Sequence, residues 1–342
     1  KIPFQPPSDY HGVREKRFPS RPISTSTQVS MGSKKEDPCA PYNPPLPDFT
    51  APGRRISETK CYEYIWQLKI RDDVAKRQRE CKASIFIFMV NYFQGAIGWK
   101  AVIGTWKFMC GSTLISAKFV LTAAHCSSAS DRDTTIADTV PKIVRLGDRD
   151  IADEHNGVMP YDAEIIKIFV HPNYKAPKKY YDIAVMELGK EMKFSMDIQP
   201  ACLWTNNDIS LYSKVADVAG WGVVESGSLK KSPELLAAQV DIIDSTKCKQ
   251  LLNGSCNRNW CGLQEHQLCA GKLRGGVDAC QGDSGGPLSV KISLPVVSQG
   301  TMRYIVGLTS FGVGCGLPNL PGIYTKVSSF VDWIENIVWP GL

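Results

Sequence analysis

No stretch of this chain is apolar for long enough to cross a bilayer. The longest such run, Ile85 to Val90 with Tyr92 and Phe93 behind it, falls well short of the ~20 residues a membrane helix requires. The start carries neither an initiator Met nor a recognisable leader, so a processed chain or a fragment is expected. The twelve cysteines include no C-x-x-C pair, which removes the usual zinc pattern, and no metal is expected from them. Basic residues are dense only at Lys76-Arg77-Gln78-Arg79 and from Lys175 to Lys179, without an aromatic platform beside them. Both read as solvated segments, so neither nucleic acid nor a membrane is an expected partner. Residues 1 to about 57 have few apolar side chains and no periodicity. Pro6-Pro7, Pro38, Pro41, Pro44-Pro45, Pro47 and Pro52 predict an extended, disordered linker or pro-segment there.

What is present is enough for a globular fold: 342 residues, 43% of them hydrophobic, with a mild net charge of +6. An even number of dispersed cysteines favours disulfides formed in an oxidising compartment, and hence a secreted, extracellular protein. The sequon Asn253-Gly254-Ser255 is a glycosylation candidate at Asn253 and fits the same setting. From about Glu58 to Glu80, Tyr62, Ile65, Trp66, Ile70 and Val74 recur near helical spacing, which predicts a short amphipathic helix bracing the next domain. From Gly95 the texture is all-β. Short runs such as Phe119–Leu121, Lys142–Leu146, Ala163–Val170, Ile183–Met186, Val215–Ala219 and Tyr304–Ser310 are separated by Gly, Pro, Asn and Asp. At the end, Phe330, Val331, Ile334, Ile337 and Val338 form one helical face, with Ser328 or Ser329 as cap and Pro340 as stop. Two antiparallel barrels closed by a C-terminal helix are expected, although no internal repeat proves the second.

The chemistry centres on Gly282-Asp283-Ser284-Gly285-Gly286-Pro287. Glycines on both sides permit a tight turn that presents the hydroxyl of Ser284. A serine is a poor nucleophile until a neighbouring base takes its proton. His125, in Leu121-Thr122-Ala123-Ala124-His125-Cys126, is that base, because imidazole titrates near neutrality. Asp182, in Asp182-Ile183-Ala184-Val185, would hold the imidazole in its working tautomer. The amides of Gly282 and Ser284 would form the oxyanion hole.

These motifs, with Gly220-Trp221-Gly222 and Pro321-Gly322-Ile323-Tyr324-Thr325-Lys326-Val327, resemble the chymotrypsin family of trypsin-like serine proteases. Gln199-Pro200-Ala201-Cys202-Leu203-Trp204 and Ile56 to Tyr64 are similar to the arthropod clip-domain cascade proteases of the snake-like group. The resemblance covers residues 94–342 as the protease domain, with 58–93 as a light-chain remnant. It implies two six-stranded antiparallel barrels and hydrolysis through an acyl-enzyme. It places Asp278 at the floor of the primary pocket and Gly312, Gly322 and Ser310 around it, which implies cleavage after Arg or Lys. It also implies the disulfides Cys110–Cys126, Cys248–Cys269 and Cys280–Cys315. Cys202 would tie to the upstream segment through Cys81 or Cys61, with Cys81 taken as the partner. Cys256 and Cys261 are close enough in the chain to pair locally. Cys39 has no assigned partner, and three upstream cysteines are too few for a complete clip domain. The expected partners are protein substrates such as downstream zymogens, serpin-type inhibitors and an upstream activating protease.

One stretch departs from the family. Family zymogens are cut before a sequence like Ile-Val-Gly-Gly, and the freed amine pairs with the acid before the catalytic serine, here Asp283. The expected place reads Glu80-Cys81-Lys82-Ala83-Ser84-Ile85-Phe86-Ile87, without a Gly-Gly. Two readings stand. Residues 82–93 replace the true activation segment through a splice or gene-model error, which the complete triad favours. Alternatively the stretch is genuine, and the chain is a locked zymogen or a catalytically silent homologue that binds cascade components. No cofactor is expected. A calcium ion at Asp148, Asp150, Asp153 and Glu154 is the weaker reading of that acidic loop, against surface acids with no ligand role.

Overall fold

The computed structural model describes residues 42–81, 93–152, 160–195, 197–208, 214–223, 231–276, 279–292 and 302–341. The expectations for residues 1–41 and 82–92, and those for Asp153, Glu154 and Asp278, lie outside the described residues.

The first barrel is built from β1 (Gln94–Lys100), β2 (Trp106–Leu114), β3 (Phe119–Thr122), β4 (Ile143–Leu146), β5 (Tyr161–Val170) and β6 (Ala184–Leu188). These close in the order β1-β2-β3-β6-β5-β4, every neighbour antiparallel. The pleat sends alternate side chains inward. Ile97, Trp99, Leu114, Val120, Val144, Leu146, Met186 and Leu188 thereby fill the barrel with almost no exposure.

The second barrel uses β8 (Val215–Gly220), β9 (Leu236–Ile243), β10 (Gln267–Gly271), β11 (Pro287–Lys291), β12 (Arg303–Phe311) and β13 (Gly322–Lys326). Their order is β11-β8-β9-β10-β13-β12, and the pairing of β11 with β12 closes the ring. A two-residue strand β7 (Cys202–Leu203) adds to β12 in parallel. The six-stranded double barrel expected from the sequence is therefore present. The repetition is one of architecture, since neighbouring side chains of quite different identity meet the same inward-facing demand.

A third apolar cluster joins the barrels. Leu121, Ile183 and Val185 from the first meet Ile305 and Leu308 from the second, and Phe330, with Ile334 and Val338 of the C-terminal helix that follows it, completes the cluster. That helix is α3 (Val331–Val338), following α1 (Ile56–Cys81) and α2 (Ser245–Leu251) in chain order. Phe330 occupies the N-cap of α3 without a side-chain bond, so neither Ser328 nor Ser329 caps it. Both serines are consumed by the 3-10 turn Val327–Phe330 that leads into the helix.

α1 is a brace, as its pattern predicts, although the buried face differs. Cys61, Tyr64 and Leu68 face the second barrel, whereas Tyr62 points outward and stacks on Phe49. At its start Glu335 of α3 accepts both the N–H and the hydroxyl of Ser57, at 3.0 and 2.6 Å. An acid from another helix thus satisfies a free first-turn amide and complements the helix dipole. Arg55 bonds Asp332 and Glu335, and Glu58 accepts from Thr205 at 2.6 Å.

The covalent tie is Cys61–Cys202, not Cys81–Cys202. The reason is the rigidity of α1: Cys81 lies twenty residues further on, ~30 Å along the helix axis, while Cys61 has its Cα 5.1 Å from that of Cys202. Four more bridges are present: Cys110–Cys126, Cys248–Cys269, Cys256–Cys261 and Cys280–Cys315.

Candidate active site

The site lies where the barrels meet. β3 runs straight into a 3-10 turn, Ala124–Ser127, which carries His125 and is pinned by Cys110–Cys126. Asp182 precedes β6, the strand paired with β3, so the same sheet register brings acid and imidazole together. Asp182 Oδ2 lies 2.8 Å from His125 Nδ1, and Oδ1 accepts the His125 backbone N–H at 2.9 Å. Two bonds to one residue fix both the position of the ring and its tautomer, with the proton on Nδ1 and Nε2 left to accept.

Ser310 on β12 supplies a third donor. Its hydroxyl reaches Asp182 Oδ2 at 2.5 Å across the interface between the barrels. The Ser310 hydroxyl is thus committed to the acid, and the residue is buried. Thr325 of β13 donates to the Asp182 carbonyl at 2.8 Å. Asp182 is almost wholly buried, which opposes its ionisation. The electrostatic attraction and hydrogen bond of His125, the Ser310 hydroxyl and the His125 amide outweigh that penalty and hold the carboxyl below its usual range.

Ser284 stands on the turn before β11. Its carbonyl accepts the Gly111 N–H at 2.8 Å, which docks the turn on β2 beside Cys126, whose Sγ is 3.6 Å from the same oxygen. The second barrel therefore delivers the serine to the strand that neighbours β3. The N–H groups of Gly282 and Ser284 make no hydrogen bond among the described residues. Gly282 has φ +103°, a backbone that a side chain would strain.

Between these two amides, Asp283 turns inward. Its Oδ1 accepts Gly222 N–H at 2.8 Å and Oδ2 accepts Cys280 N–H at 2.9 Å. A Cβ on Gly220 would lie 1.9 Å from Asp283 Oδ1, so the Gly-Trp-Gly segment makes room for this carboxylate. Burial pushes the Asp283 carboxyl up, against the two amides and the charge of Lys231. Among the described residues no cation pairs with it.

Lys231 is a feature that sequence reasoning missed. Its Nζ donates to the Phe108 carbonyl at 3.2 Å and passes alongside Gly282. Partial desolvation and the nearby Lys107 hold the ammonium below its usual range, opposed by Asp283. Nothing in the spacing of the chain marks it, because the approach depends on the turn back toward β9.

Around the expected pocket, Gly312 is exposed just beyond β12, Gly322 is buried at the start of β13, and Cys280–Cys315 staples the two sides together. Phe311 meets the Lys179 ammonium at 5.7 Å and Trp260 edge-on at 5.6 Å. Trp260 is part of the small loop held by Cys256–Cys261. Asn253 is exposed on a 3-10 turn, with open space around Gly254. Of the acidic loop, Asp148 is buried, lies 3.7 Å from Arg145 and accepts the Asp150 N–H, and Asp150 in turn accepts the Ala152 N–H.

Two antiparallel six-stranded barrels, an Asp–His pair at their seam and a glycine-flanked serine whose carbonyl docks on β2 are the architecture of a serine endopeptidase of the trypsin type. The family profile described as Trypsin matches residues 88–334, and the chain belongs to that family. Among curated proteins it is 35% identical over 311 residues to Serine protease snk of Drosophila melanogaster, covering 86% of this chain and 68% of that protein. It is 41% identical over 240 residues to Serine protease Hayan of the same fly, covering 69% of this chain and 36% of that protein. CLIP domain-containing serine protease B4 of Anopheles gambiae is 34% identical over 259 residues, with 70% and 67% covered. The chain thus spans about a third of the length of Hayan and about two thirds of the other two. No helix among the described residues is long and apolar enough to cross a membrane.

Proposed function

We propose that this chain is the zymogen-type precursor of a secreted endopeptidase that cleaves proteins after Arg or Lys. Ser284 is the nucleophile, His125 the general base and later acid, and Asp182 the orienting acid. The observation that carries this reading is the triply bonded carboxylate of Asp182, since a histidine with only a structural role has no need of so costly an arrangement. In the reaction, His125 Nε2 takes the Ser284 proton as Oγ attacks the scissile carbonyl. The developing oxyanion is received by the amides of Gly282 and Ser284. Collapse of the tetrahedral species expels the amine, which takes its proton from His125, and water then hydrolyses the acyl-enzyme by the same relay.

Asp278 at the pocket floor would select the cationic side chain, and Gly312 and Gly322 would leave room for it. The relatives named above support a place in an extracellular activation cascade, with downstream zymogens as substrates, serpin-type inhibitors as regulators and an upstream protease as activator. Asp283, buried and held by two backbone amides with Lys231 as its nearby charge and no ion pair among the described residues, suits a precursor whose new amine has yet to arrive. The test is a tripeptide-Arg chromogenic substrate, assayed before and after limited proteolysis. Hydrolysis that appears on cleavage, prefers Arg over Phe, and vanishes in Ser284→Ala establishes the reading. No hydrolysis after any activating cut overturns it.

A further inference from the structure

Asp182 sits in a short backbone segment whose polar groups are held from several directions. Tyr181 N–H donates to His266 Nε2 at 3.2 Å, and Tyr181 carbonyl accepts the Ile183 N–H at 2.9 Å. Asp182 carbonyl accepts from Thr325, and Ile183 carbonyl accepts the His171 N–H at 3.1 Å. Of these four restraints only the first depends on a group that titrates near neutrality. It also falls where restraint is most needed, because Tyr181 has φ +56°, a left-handed conformation that a bulky side chain rarely adopts.

The ring of Tyr181 is layered between two imidazoles. His171 lies 5.3 Å away at 11°, and His266 lies 4.2 Å away at 20°. Phe330 closes the stack edge-on at 5.0 Å from His171 and 5.9 Å from His266. Each imidazole also uses a ring nitrogen as an acceptor, since His171 Nδ1 takes the Asn173 N–H at 3.2 Å. A ring nitrogen accepts only while it carries no proton, so both histidines must be neutral for the stack to stand as it does.

The neighbourhood does not offset a charge on either ring. His266 faces His171 beyond β5, and Tyr180, Tyr181 and Asp182 before β6. Lys326 on β13 donates its N–H to the His266 carbonyl, and Glu265 and Asp208 exert their pull on the Lys326 ammonium. The Asp182 carboxylate is already taken by His125 and Ser310. Trp333 approaches His171 at 5.1 Å from α3. Among the described residues no carboxylate pairs with either imidazole.

We propose that His266, backed by His171, is a positioning residue for Asp182: the neutral imidazole clamps the left-handed Tyr181 backbone, and a proton on Nε2 opens the clamp and loosens the Asp182–His125 pair. This rests on the reading of Asp182 and His125 as catalytic. Burial holds both histidines below their ordinary range, and for His266 the presence of His171 adds to the effect. The clamp is therefore shut at neutral pH and opens in acid.

Two variants test it. His266→Gln keeps an acceptor at similar reach and does not titrate, whereas His266→Phe keeps a ring for the stack and has no acceptor. The first readout needs no catalysis: the low-field proton resonance of the His125 Nδ1–H bonded to Asp182, followed in the full, uncleaved chain from pH 8 to pH 4. In the parent chain it should vanish as His266 protonates, persist to lower pH in His266→Gln, and be weak throughout in His266→Phe. The second is the acid limb of kcat/KM after limited proteolysis. It should steepen from about tenfold to about a hundredfold per pH unit in the parent, stay near tenfold in His266→Gln, and show kcat about tenfold down at pH 7.5 with KM unchanged in His266→Phe. Identical resonances and acid limbs in the parent and His266→Gln overturn the clamp, whether or not His266→Phe folds. Absence of hydrolysis in every form counts against the protease reading alone, because the resonance still decides the clamp.

Discussion

Ser310 shows that a residue can hold a contact its own segment does not announce. The motif around it puts it beside the substrate pocket, yet its hydroxyl points at Asp182. That direction depends on how β12 lies against the loop before β6, and no pattern in one segment encodes the meeting of two. His125, Asp182 and Ser284 could be singled out from the sequence because each sits inside a dense local motif. Ser310→Ala should leave a buried carboxylate lone pair without its partner, at about 1–3 kcal/mol. The expected result is kcat/KM lower by about tenfold with KM little changed, and recovery in Ser310→Thr, read with the Arg substrate. Gly282→Ala is a different kind of change. It would force a Cβ onto φ +103°, 3.0 Å from Gly222 Cα, at about 1–3 kcal/mol of backbone strain. The new strain falls on the amide proposed as an oxyanion donor, so kcat should drop while binding of an Arg-containing peptide is preserved, a split that steady-state kinetics will resolve.

Among elements, α1 was foreseeable as a helix because its charged and apolar residues repeat at the right interval. Its buried face was not, because the repeat admits more than one stripe. What chose Cys61, Tyr64 and Leu68 over Tyr62 and Trp66 is the disulfide to β7 and the carboxylate of Glu335 waiting at the helix start. The bridge has a consequence for processing. Five disulfides among the described residues account for ten of the twelve cysteines, and the other two, Cys39 and Cys81, both precede residue 82. A cut within 82–92 should therefore leave the two pieces joined by Cys61–Cys202 alone. Non-reducing electrophoresis should show one band and reducing electrophoresis two, while Cys202→Ser should release the upstream piece without reductant. Release from the parent chain under non-reducing conditions would refute that connectivity. Before any cut, loss of the bridge should cost about 2–4 kcal/mol, visible as a lower melting temperature.

For the molecule as a whole, the double barrel was readable from strand texture and motifs, but the closures that make each sheet a barrel were not. The β1–β4 and β11–β12 pairings join strands separated by long stretches of chain, and their register follows from which faces must be buried rather than from any local signal. The same distant packing buries ionisable groups, and those burials govern how stability responds to pH. His171 and His266 titrate lower in the fold than in the unfolded chain. As pH falls below about 6.5, the unfolded state binds more protons than the fold, so the stability these residues contribute is present above that point and lost as acid is added. Asp182, held below the usual carboxylate range, contributes in the same direction at lower pH. Asp283 works oppositely, because its carboxyl is raised and the fold takes up that proton first. Proton uptake by Asp283 therefore offsets part of what acid removes through the histidines and Asp182. The melting temperature of the precursor should be level from pH 8 to about 7 and begin to fall as the pH drops below about 6.5, the ordinary histidine value. A scan of melting temperature against pH will show the break, and His171→Gln should make it shallower. A profile unchanged by that substitution would mean that the stacked histidine does not carry the acid response assigned to it.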